Sequence, residues 1–262
     1  MSCAFLYRDR SRAATITSSG TLGDGGVDRL ADPQPRHRAR FDGASVNFTM
    51  DLGAVFNVDV FALISTTLTA SSDVRVRASD TDPAATSALT HDSGVLSGVT
   101  HADWLGQVAL ALTAPIAARY VRWDLATPSA QSIDVGLAPL GALWRPLRNY
   151  AYGAQRGYQD YGVRDGSART GGMFAVDGPK ARLQAFTLAA LSEAEAKADV
   201  AQMDLIAGVA GDVLWIPETT DPALDRARDA IWGGFKQIGA PAVAVHDNFA
   251  MMSRSYQMTE RL

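Results

Sequence analysis

Cysteine is almost absent from this chain of 262 residues, in which Cys3 is the single example. One cysteine cannot form a disulfide within the chain, and it cannot supply the thiolates of a cysteine-rich zinc site. The four histidines are scattered through the sequence, at His37, His91, His101 and His246. These scarcities leave little from which to build a catalytic metal centre, and we expect no bound metal and no other cofactor.

Long apolar runs and an excess of positive charge are missing as well. No stretch approaches the roughly 20 apolar residues that a membrane-spanning helix needs, so we expect no membrane insertion. The net charge is -4 and the isoelectric point is about 5.5, whereas general nucleic-acid binders are normally basic. We therefore expect no nucleic-acid partner. Hydrophobic residues make up 47% of the chain, which is enough for a sizeable buried core.

The common catalytic motifs are also absent. The sequence contains no G-x-S-x-G nucleophile elbow, no G-x-x-x-x-G-K-[ST] or G-x-G-x-x-G phosphate cradle and no H-E-x-x-H zinc motif. His91-Asp92 and His246-Asp247 are adjacent pairs, but neighbours on a strand point to opposite faces, which argues against either as a catalytic pair. We therefore expect no enzymatic activity.

A few polar and aromatic residues leave weaker alternatives open. Asp80 and Asp82 offer oxygen ligands for calcium, although a hydrated turn is favoured. Asp160 and Asp165 lie near tyrosines and could cleave a glycoside, which requires a fixed separation of two carboxylates. Solvated loop carboxylates are the favoured interpretation. Trp104 is a weak candidate for stacking on a sugar, with core packing preferred.

The first 145 residues are rich in predicted strands. Ser45–Leu52, Asp73–Ser79 and Arg119–Leu125 alternate apolar and polar residues, as half-buried strands do. Val58–Ser65 is more continuously apolar, as in a central strand. Turns rich in Gly, Ser and Asp separate these segments, so residues 1–145 are predicted to form a β-sandwich.

Residues 146–172 form a connecting segment with a different composition. Together with the two residues before it, this stretch holds four of the seven tyrosines, five arginines and many glycines. Tyrosine and arginine are favoured at protein interfaces, whereas a plain linker or surface loop remains an equal alternative. The candidate interface residues are Trp144, Arg145, Arg148, Tyr150, Tyr152, Arg156, Tyr158 and Tyr161.

Residues 173–262 are predicted to form a smaller α+β domain. A strand over residues 183–191 leads to Ser192, with Glu195 three positions later, which is the spacing of a capping box. An apolar stripe then follows at helical spacing, and Gly208 is the expected helix stop. Further strands are predicted over 213–216, 242–246 and 254–262. The stripe consists of Ala194, Ala198, Ala201, Leu205 and Ile206.

Four short segments of the first part resemble a galactose-binding-like (discoidin-type) jelly roll. They are Ala14–Ser19 (ATITSS), Leu30–Pro35 (LADPQP), Asn47–Gly53 (NFTMDLG) and Arg119–Trp123 (RYVRW). Their order and spacing fit that family over about 140 residues. The resemblance implies a mainly β protein with an N-terminal β-sandwich, followed here by the smaller α+β domain with one capped helix on a sheet. Proteins with this jelly roll often bind glycans.

The order of the later segments resembles tail proteins of bacteriophages and phage-derived particles. In that family a segment of the type F-x-L-x-x-L-S-x-x-E-A precedes a strand that ends in proline, and a final strand resembles R-S-Y-x-x-x-E. The matching residues here are Phe186, Leu188, Leu191, Ser192, Glu195 and Ala196, then Val213–Pro217 (VLWIP) and Arg254–Arg261 (RSYQMTER).

This second resemblance implies a distal-tail, tail-tip or baseplate component of the virion, assembled in the host cytoplasm. Such a protein joins the tail tube or hub to peripheral fibres through protein–protein contacts and forms a homo-oligomeric ring. The alternative is a carbohydrate-binding module that recognises cell-surface glycans during host attachment. A glycoside hydrolase is the third hypothesis.

Overall fold

The structure, a computed structural model, describes residues 2–20, 22–23, 25–82, 89–101, 106–128, 132–166, 172–238, 242–246 and 249–262. Strands dominate these residues, and the helices among them are short. The strands are β1 (Ala4–Leu6), β2 (Thr15–Ser18), β3 (Ala39–Asp42), β4 (Ser45–Thr66), β5 (Asp73–Ser79), β6 (His91–Asp92), β7 (Leu96–Ser97), β8 (Val108–Ala126), β9 (Ser132–Leu137), β10 (Leu140–Gly141), β11 (Gln155–Asp160), β12 (Val163–Gly166), β13 (Met173–Val176), β14 (Lys180–Leu191), β15 (Val213–Ile216), β16 (Ile231–Ile238), β17 (Ala242–His246) and β18 (Phe249–Glu260). The α-helices are α1 (Glu193–Glu195), α2 (Ala201–Ala207) and α3 (Ala223–Asp229), with 3-10 turns at Ser11–Ala13 and Val27–Ala31 and a π-helical turn at Ala196–Val200.

The chain folds into two compact units, and each unit is made of two stretches of sequence. Unit 1 comprises Met1–Pro146 and Val213–Ala230, and unit 2 comprises Leu147–Asp212 and Ile231–Leu262. The stretch that contains β15 and α3 therefore belongs to unit 1, although it lies far along the chain.

Unit 1 contains a β-sandwich organised around one long strand. β4 pairs with β8 along most of its length and also with β2, β9 and β10, and the strand order is β3-β9-β4-β8-β5-β6. The sequence predicted two separate strands here, but the structure has one continuous strand whose register with β8 shifts between Asp51 and Phe56. Gly53 lies in this irregularity with a φ of +78°, a conformation that glycine adopts without steric cost.

Aromatic side chains fill the core of the sandwich. Phe48 stacks on Trp123 with ring centroids 6.5 Å apart, and Phe61 meets the edge of the same indole at 6.5 Å. All three side chains are fully buried. Trp215 on β15 is fully buried as well.

Two further paired strands, β1 and β15, belong to unit 1. β1 lies antiparallel to β15, with Ala4 opposite Ile216 and Leu6 opposite Leu214. The pairing brings the first residues of the chain against a segment more than 200 positions later, which sequence periodicity alone does not reveal. Cys3, just before β1, is fully buried, as expected for a small apolar residue.

Unit 2 is an antiparallel sheet that carries one capped helix. Its strands follow the order β16-β18-β14-β11, with β17 paired to β18. β14 and β18 are long strands of alternating burial, and Phe186, Leu188, Tyr256 and Met258 point into the core. The predicted fold class is confirmed: the protein is mainly β, with a β-sandwich and a smaller α+β unit.

The capped helix (residues 193–207) begins as the sequence predicts. The hydroxyl of Ser192 accepts a 3.2 Å hydrogen bond from the backbone NH of Glu195, whose carboxylate accepts one of 3.1 Å from the backbone NH of Ser192. The predicted capping box is confirmed, and Gly208 ends the helix with a φ of +53°.

The side of this helix that faces the core differs from the prediction. The buried residues are Glu195, Val200, Met203 and Ala207, whereas every member of the predicted stripe is exposed. Ala194, which precedes the π-helical turn at Ala196–Val200, is already exposed, so the helix meets the sheet with a different side from its first turn onwards. An apolar stripe therefore lies along the outside of the helix.

Loss of the capping hydroxyl should weaken unit 2. We expect Ser192→Ala to lower the free energy of unfolding by about 1 kcal/mol, because the NH of Glu195 loses its acceptor. Chemical denaturation followed by circular dichroism measures this loss. Ser45→Ala, which removes the hydroxyl of an exposed residue at the start of β4, should change the midpoint little.

Candidate protein-contact surface

Two of the candidate interface residues, Trp144 and Arg145, make their contacts within unit 1. The ring of Trp144 stacks on Phe5 at 5.3 Å, and the backbones of the two residues exchange two hydrogen bonds of 2.9 Å. The guanidinium of Arg145 donates to the carboxylate of Asp59, which is 2% exposed, and to the carbonyl of Leu112 at 2.8 Å. Arg145 thus neutralises a buried charge that would be costly if left unpaired.

The next two candidates lie beside the N-terminus of the capped helix. Arg148 is exposed and lines a cavity of about 350 Å³, together with Leu147, Leu191, Glu195 and Met251 among others. Tyr150 is half-buried, and the edge of its ring meets Phe186 at 6.3 Å. Phe186 is one of the motif residues, so Tyr150 covers the core of unit 2.

The carboxylate of Glu195, in the wall of this cavity, accepts three hydrogen bonds at the start of the helix. It accepts hydrogen bonds from the backbone NH of Leu147 at 2.8 Å and from the NH and hydroxyl of Ser192 at 3.1 and 2.8 Å. Burial by itself raises the pKa of Glu195, but these hydrogen bonds outweigh it and hold the pKa below its usual value. Because the charge is satisfied internally, the free surface of the cavity is mostly apolar.

The remaining four candidates are exposed, and two of them lie on β11. This strand is the edge of the sheet in unit 2, next to β14. Alternation places Arg156 and Tyr158 on the same exposed face of the strand. Tyr152 is fully exposed and Tyr161 about half exposed. Exposed tyrosines with an arginine are typical of a contact surface.

One exposed apolar surface of unit 2 is a hairpin that the sequence analysis did not identify. β12 and β13 pair only with each other among the described residues, and all eight of their residues are exposed. Val163 lies opposite Val176 and Phe174 lies opposite Asp165, so all four residues share one face. We call the three apolar ones, Val163, Val176 and Phe174, the hairpin patch; they are 62%, 69% and 67% exposed respectively.

A second exposed apolar surface lies on the capped helix. Leu205, Ile206 and Val209 are 85%, 48% and 61% exposed, and Ala201 is one turn before Leu205 on the same side. We call these four residues the helix patch. The opposite side is fixed on the sheet, because the carboxylate of Asp204 accepts hydrogen bonds from Arg254 and, at 3.1 Å, from the hydroxyl of Tyr256.

The other polar residues that the sequence singled out do not form a site among the described residues. Asp80 and Asp82 are exposed, and the turn around them is closed by a 3.1 Å hydrogen bond from the NH of Thr81 to Ser79. Within the described ranges no group of three or more His, Cys, Asp or Glu side chains is arranged to hold a metal. Trp104 lies outside the described residues.

The carboxylates considered for glycoside cleavage both lie on exposed strands. Asp160 accepts a 2.7 Å hydrogen bond from the NH of Gly162 and lies 3.9 Å from the ammonium of Lys180, while Asp165 lies in β12. The two side chains of the adjacent pair His91-Asp92 have different partners, as expected. His91 stacks on Phe61 at 5.9 Å, whereas the carboxylate of Asp92 binds Arg75.

Unit 1 carries an ordered polar surface on the outer face of its sheet. The carboxylate of Asp124 accepts hydrogen bonds from Arg77 at 2.7 Å and from Arg122 at 3.0 Å. It thereby offsets the repulsion between these two arginines, which lie directly opposite each other on β5 and β8. Beside them, Arg75 donates to Asp92 at 2.9 Å. This face presents many hydrogen-bonding groups in a fixed array.

No protein-family model matches this chain, and no curated protein matches its sequence. Solved structures similar to about half of the chain are carbohydrate-binding modules. A chitosan-binding module from Paenibacillus sp. IK-5 is 16% identical, with 52% of this chain and 99% of that chain covered and a TM-score of 0.41.

Two further structures are similar to the same extent. A fucose-binding module from Streptococcus pneumoniae is 15% identical over 51% of this chain and 94% of its own, with a TM-score of 0.40. A CBM32 module from Clostridium perfringens in complex with GalNAc-β-1,3-galactose is 9% identical over 51% and 99%, also with a TM-score of 0.40. At sequence identities and TM-scores this low, the similarity assigns neither a ligand nor a family to this chain.

One structural finding bears on the membrane. None of the helices in the ranges described above is both long and apolar enough to cross a bilayer.

The surface ion pair Arg75–Asp92 should make the stability of unit 1 decrease at low pH. The hydrogen bond from Arg75 holds the pKa of Asp92 at about 2, below the usual 3.8. The stabilisation is therefore present above about pH 4 and is lost as the pH falls towards 2, and screening keeps it below about 1 kcal/mol. Thermal unfolding measured from pH 5 to about pH 2 should show a smaller decline for Asp92→Asn than for the unaltered protein. An equal decline in both proteins would contradict the assignment.

Proposed function

We propose that this chain is a structural subunit of a phage-like tail, near its distal end, and that it attaches to its neighbours through unit 2. The observation that carries the proposal is the hairpin patch. Three large apolar side chains share one exposed face of a two-stranded hairpin. An isolated hairpin is marginally stable in water, and exposed apolar surface of this kind is typical of an interaction site.

The tail assignment is supported by the way the motif residues are used. Phe186, Leu188 and Leu191 are buried in the core of unit 2, and Ser192 and Glu195 form the helix cap directly after them. The F-x-L-x-x-L-S-x-x-E-A pattern thus specifies a strand that leads into a capped helix. None of the three similar structures is a tail protein, so the support comes from this motif and from the exposed surface.

An assembly role also fits the use of charge in unit 1. Many of its arginines bind aspartates across neighbouring strands, as Arg119 does with Asp51 at 2.7 Å and Arg40 with Asp134 at 2.8 Å. Such pairs hold strands in register rather than presenting reactive groups. A subunit of this kind would contribute shape and contacts, with no reaction to catalyse.

The hairpin patch provides the test of this function. We expect the triple variant Val163→Thr, Phe174→Thr and Val176→Thr to be lost from purified tail particles, because the apolar contact is removed while β-forming residues are kept. Quantitative immunoblotting of particles against total lysate measures incorporation.

A matched control changes exposed residues away from the patch. Thr15→Ser and Thr17→Ser alter two exposed positions on β2 and should leave incorporation unchanged. Incorporation of the triple variant at the level of the unaltered protein would contradict the proposal. So would the absence of the unaltered protein from every particle.

A carbohydrate-binding role for unit 1 is the second candidate. The polar outer face of the sheet favours it, because guanidinium and carboxylate groups held in a fixed array suit the hydroxyl groups of a sugar. A glycan array with the intact protein tests this role. We expect any binding to fall at least about tenfold in Arg75→Ala and to remain in Arg40→Ala, which breaks a similar Arg–Asp pair on β3. Absence of binding at high glycan density would remove the candidate.

A further inference from the structure

The β12–β13 hairpin joins the sheet of unit 2 through a neck whose two strands differ in length. Asp160 lies opposite Lys180 in the last pair of β11 and β14, and Val163 lies opposite Val176 in the first pair of β12 and β13. Residues 161 and 162 separate these pairs on one strand, whereas residues 177, 178 and 179 separate them on the other. The second strand therefore carries one extra residue, as in a β-bulge.

Two residues of the neck contribute no NH group to the pairing of its strands. The NH of Gly162 donates at 2.7 Å to the side chain of Asp160, on its own strand, and Pro179 has no NH. One backbone hydrogen bond of 3.1 Å, from the NH of Tyr161 to the carbonyl of Pro179, crosses the neck. The residue types at these positions thus favour a change of register here.

Gly178 lets the two backbones come together inside the bulge. A Cβ atom at position 178 would lie 2.3 Å from the carbonyl carbon of Tyr161 and 2.5 Å from the nitrogen of Gly162. Both are backbone atoms, so the rotation of a neighbouring side chain could not make room for it. The bulge therefore requires glycine at this position.

The extra residue decides which side chains of the hairpin share a face. With it, Val163 lies opposite Val176, and the hairpin patch is complete on one face. If the register of β11 and β14 continued unchanged, Val163 would lie opposite Asp177, and Val176 would lie opposite Arg164. Because a shift of one residue exchanges the faces of a strand, Phe174 and Val176 would then lie on the face opposite Val163.

We propose that the bulge at Gly178 sets the register of the β12–β13 hairpin and thereby assembles the hairpin patch. Gly178 is a positioning residue in this account, because it acts through the three apolar side chains that its bulge brings to one face. The inference rests on the proposed function for the purpose of that face, whereas the register can be measured on the free protein.

Disulfide formation between introduced cysteines reports the register. Val163→Cys with Val176→Cys should pair in the bulged register, and Val163→Cys with Asp177→Cys in the regular one, because a disulfide requires facing Cβ atoms. Each pair is placed in the otherwise unaltered chain and in Gly178→Ala, and both are equilibrated in a glutathione redox buffer. Peptide mass spectrometry then gives the fraction of each disulfide. Cys3 is fully buried and is common to all of these proteins.

The disulfide between positions 163 and 176 should predominate in the chain that keeps Gly178. We expect Gly178→Ala to lower its amount relative to the disulfide between 163 and 177 by at least about tenfold, because a backbone overlap must be relieved. Gly157→Ala and Gly166→Ala are matched controls, since a Cβ there would have no atom within 4 Å. They should leave the ratio unchanged.

Deletion of Gly178 provides a second variant, which decides the test even if Gly178→Ala does not fold. It leaves two residues on each strand of the neck, so Val163 and Val176 should stay opposite each other without a bulge. The disulfide between positions 163 and 176 should therefore predominate in the deletion variant as well.

Three results would overturn the inference. The first is an unchanged ratio of the two disulfides in Gly178→Ala. The second is the loss of both disulfides in Gly178→Ala while circular dichroism shows a folded protein, since glycine would then be needed for the hairpin to form. The third is a deletion variant in which the disulfide between 163 and 177 predominates.

Particle incorporation separates this inference from the proposed function. If the disulfides change as expected and Gly178→Ala is still incorporated like the unaltered protein, the register assignment stands and attachment through the hairpin patch is wrong. If the unaltered protein is absent from every particle, the proposed function fails and the disulfides still decide the register.

Discussion

The carboxylate of Glu195 fixes the orientation of the capped helix in unit 2. It caps the helix through Ser192 and ties that cap to the backbone of Leu147, where the connecting segment enters the unit. At the other end of the helix, Asp204 binds Arg254 and Tyr256 on β18. These anchors decide which side of the helix meets the sheet, and so they decide that Leu205, Ile206 and Val209 face outwards.

Units 1 and 2 differ in the contacts that their side chains make. Unit 1 pairs several of its charges internally, Arg145 with Asp59 and Arg119 with Asp51, and its aromatic core packs around Trp123. Unit 2 leaves large apolar side chains on the hairpin and the helix open to solvent. Exposed apolar surface of this kind is typical of an interaction site, and it supports the proposed attachment through unit 2.

Much of this fold could be predicted from the sequence, because strand alternation and the capping box are local signals. Asp73–Ser79 is a strand with the predicted bounds, and Ser192 caps the helix as expected. The buried side of the helix was predicted wrongly because Val200, Met203 and Ala207 also follow helical spacing, and periodicity does not say which of two apolar sides meets the sheet. The partner of β1 joins it from a distant segment, and strand periodicity does not identify which strand that partner is. Trp144 is of a residue type that is common at protein interfaces, yet its ring packs inside unit 1 against Phe5.

Hydrogen exchange of the assembled protein tests the central claim most directly. Amide exchange would be compared, peptide by peptide, between the protein in purified tail particles and the free protein. The account predicts slower exchange in particles at the two strands of the hairpin, β12 and β13. Protection confined to unit 1, or no difference between the two states, would contradict it.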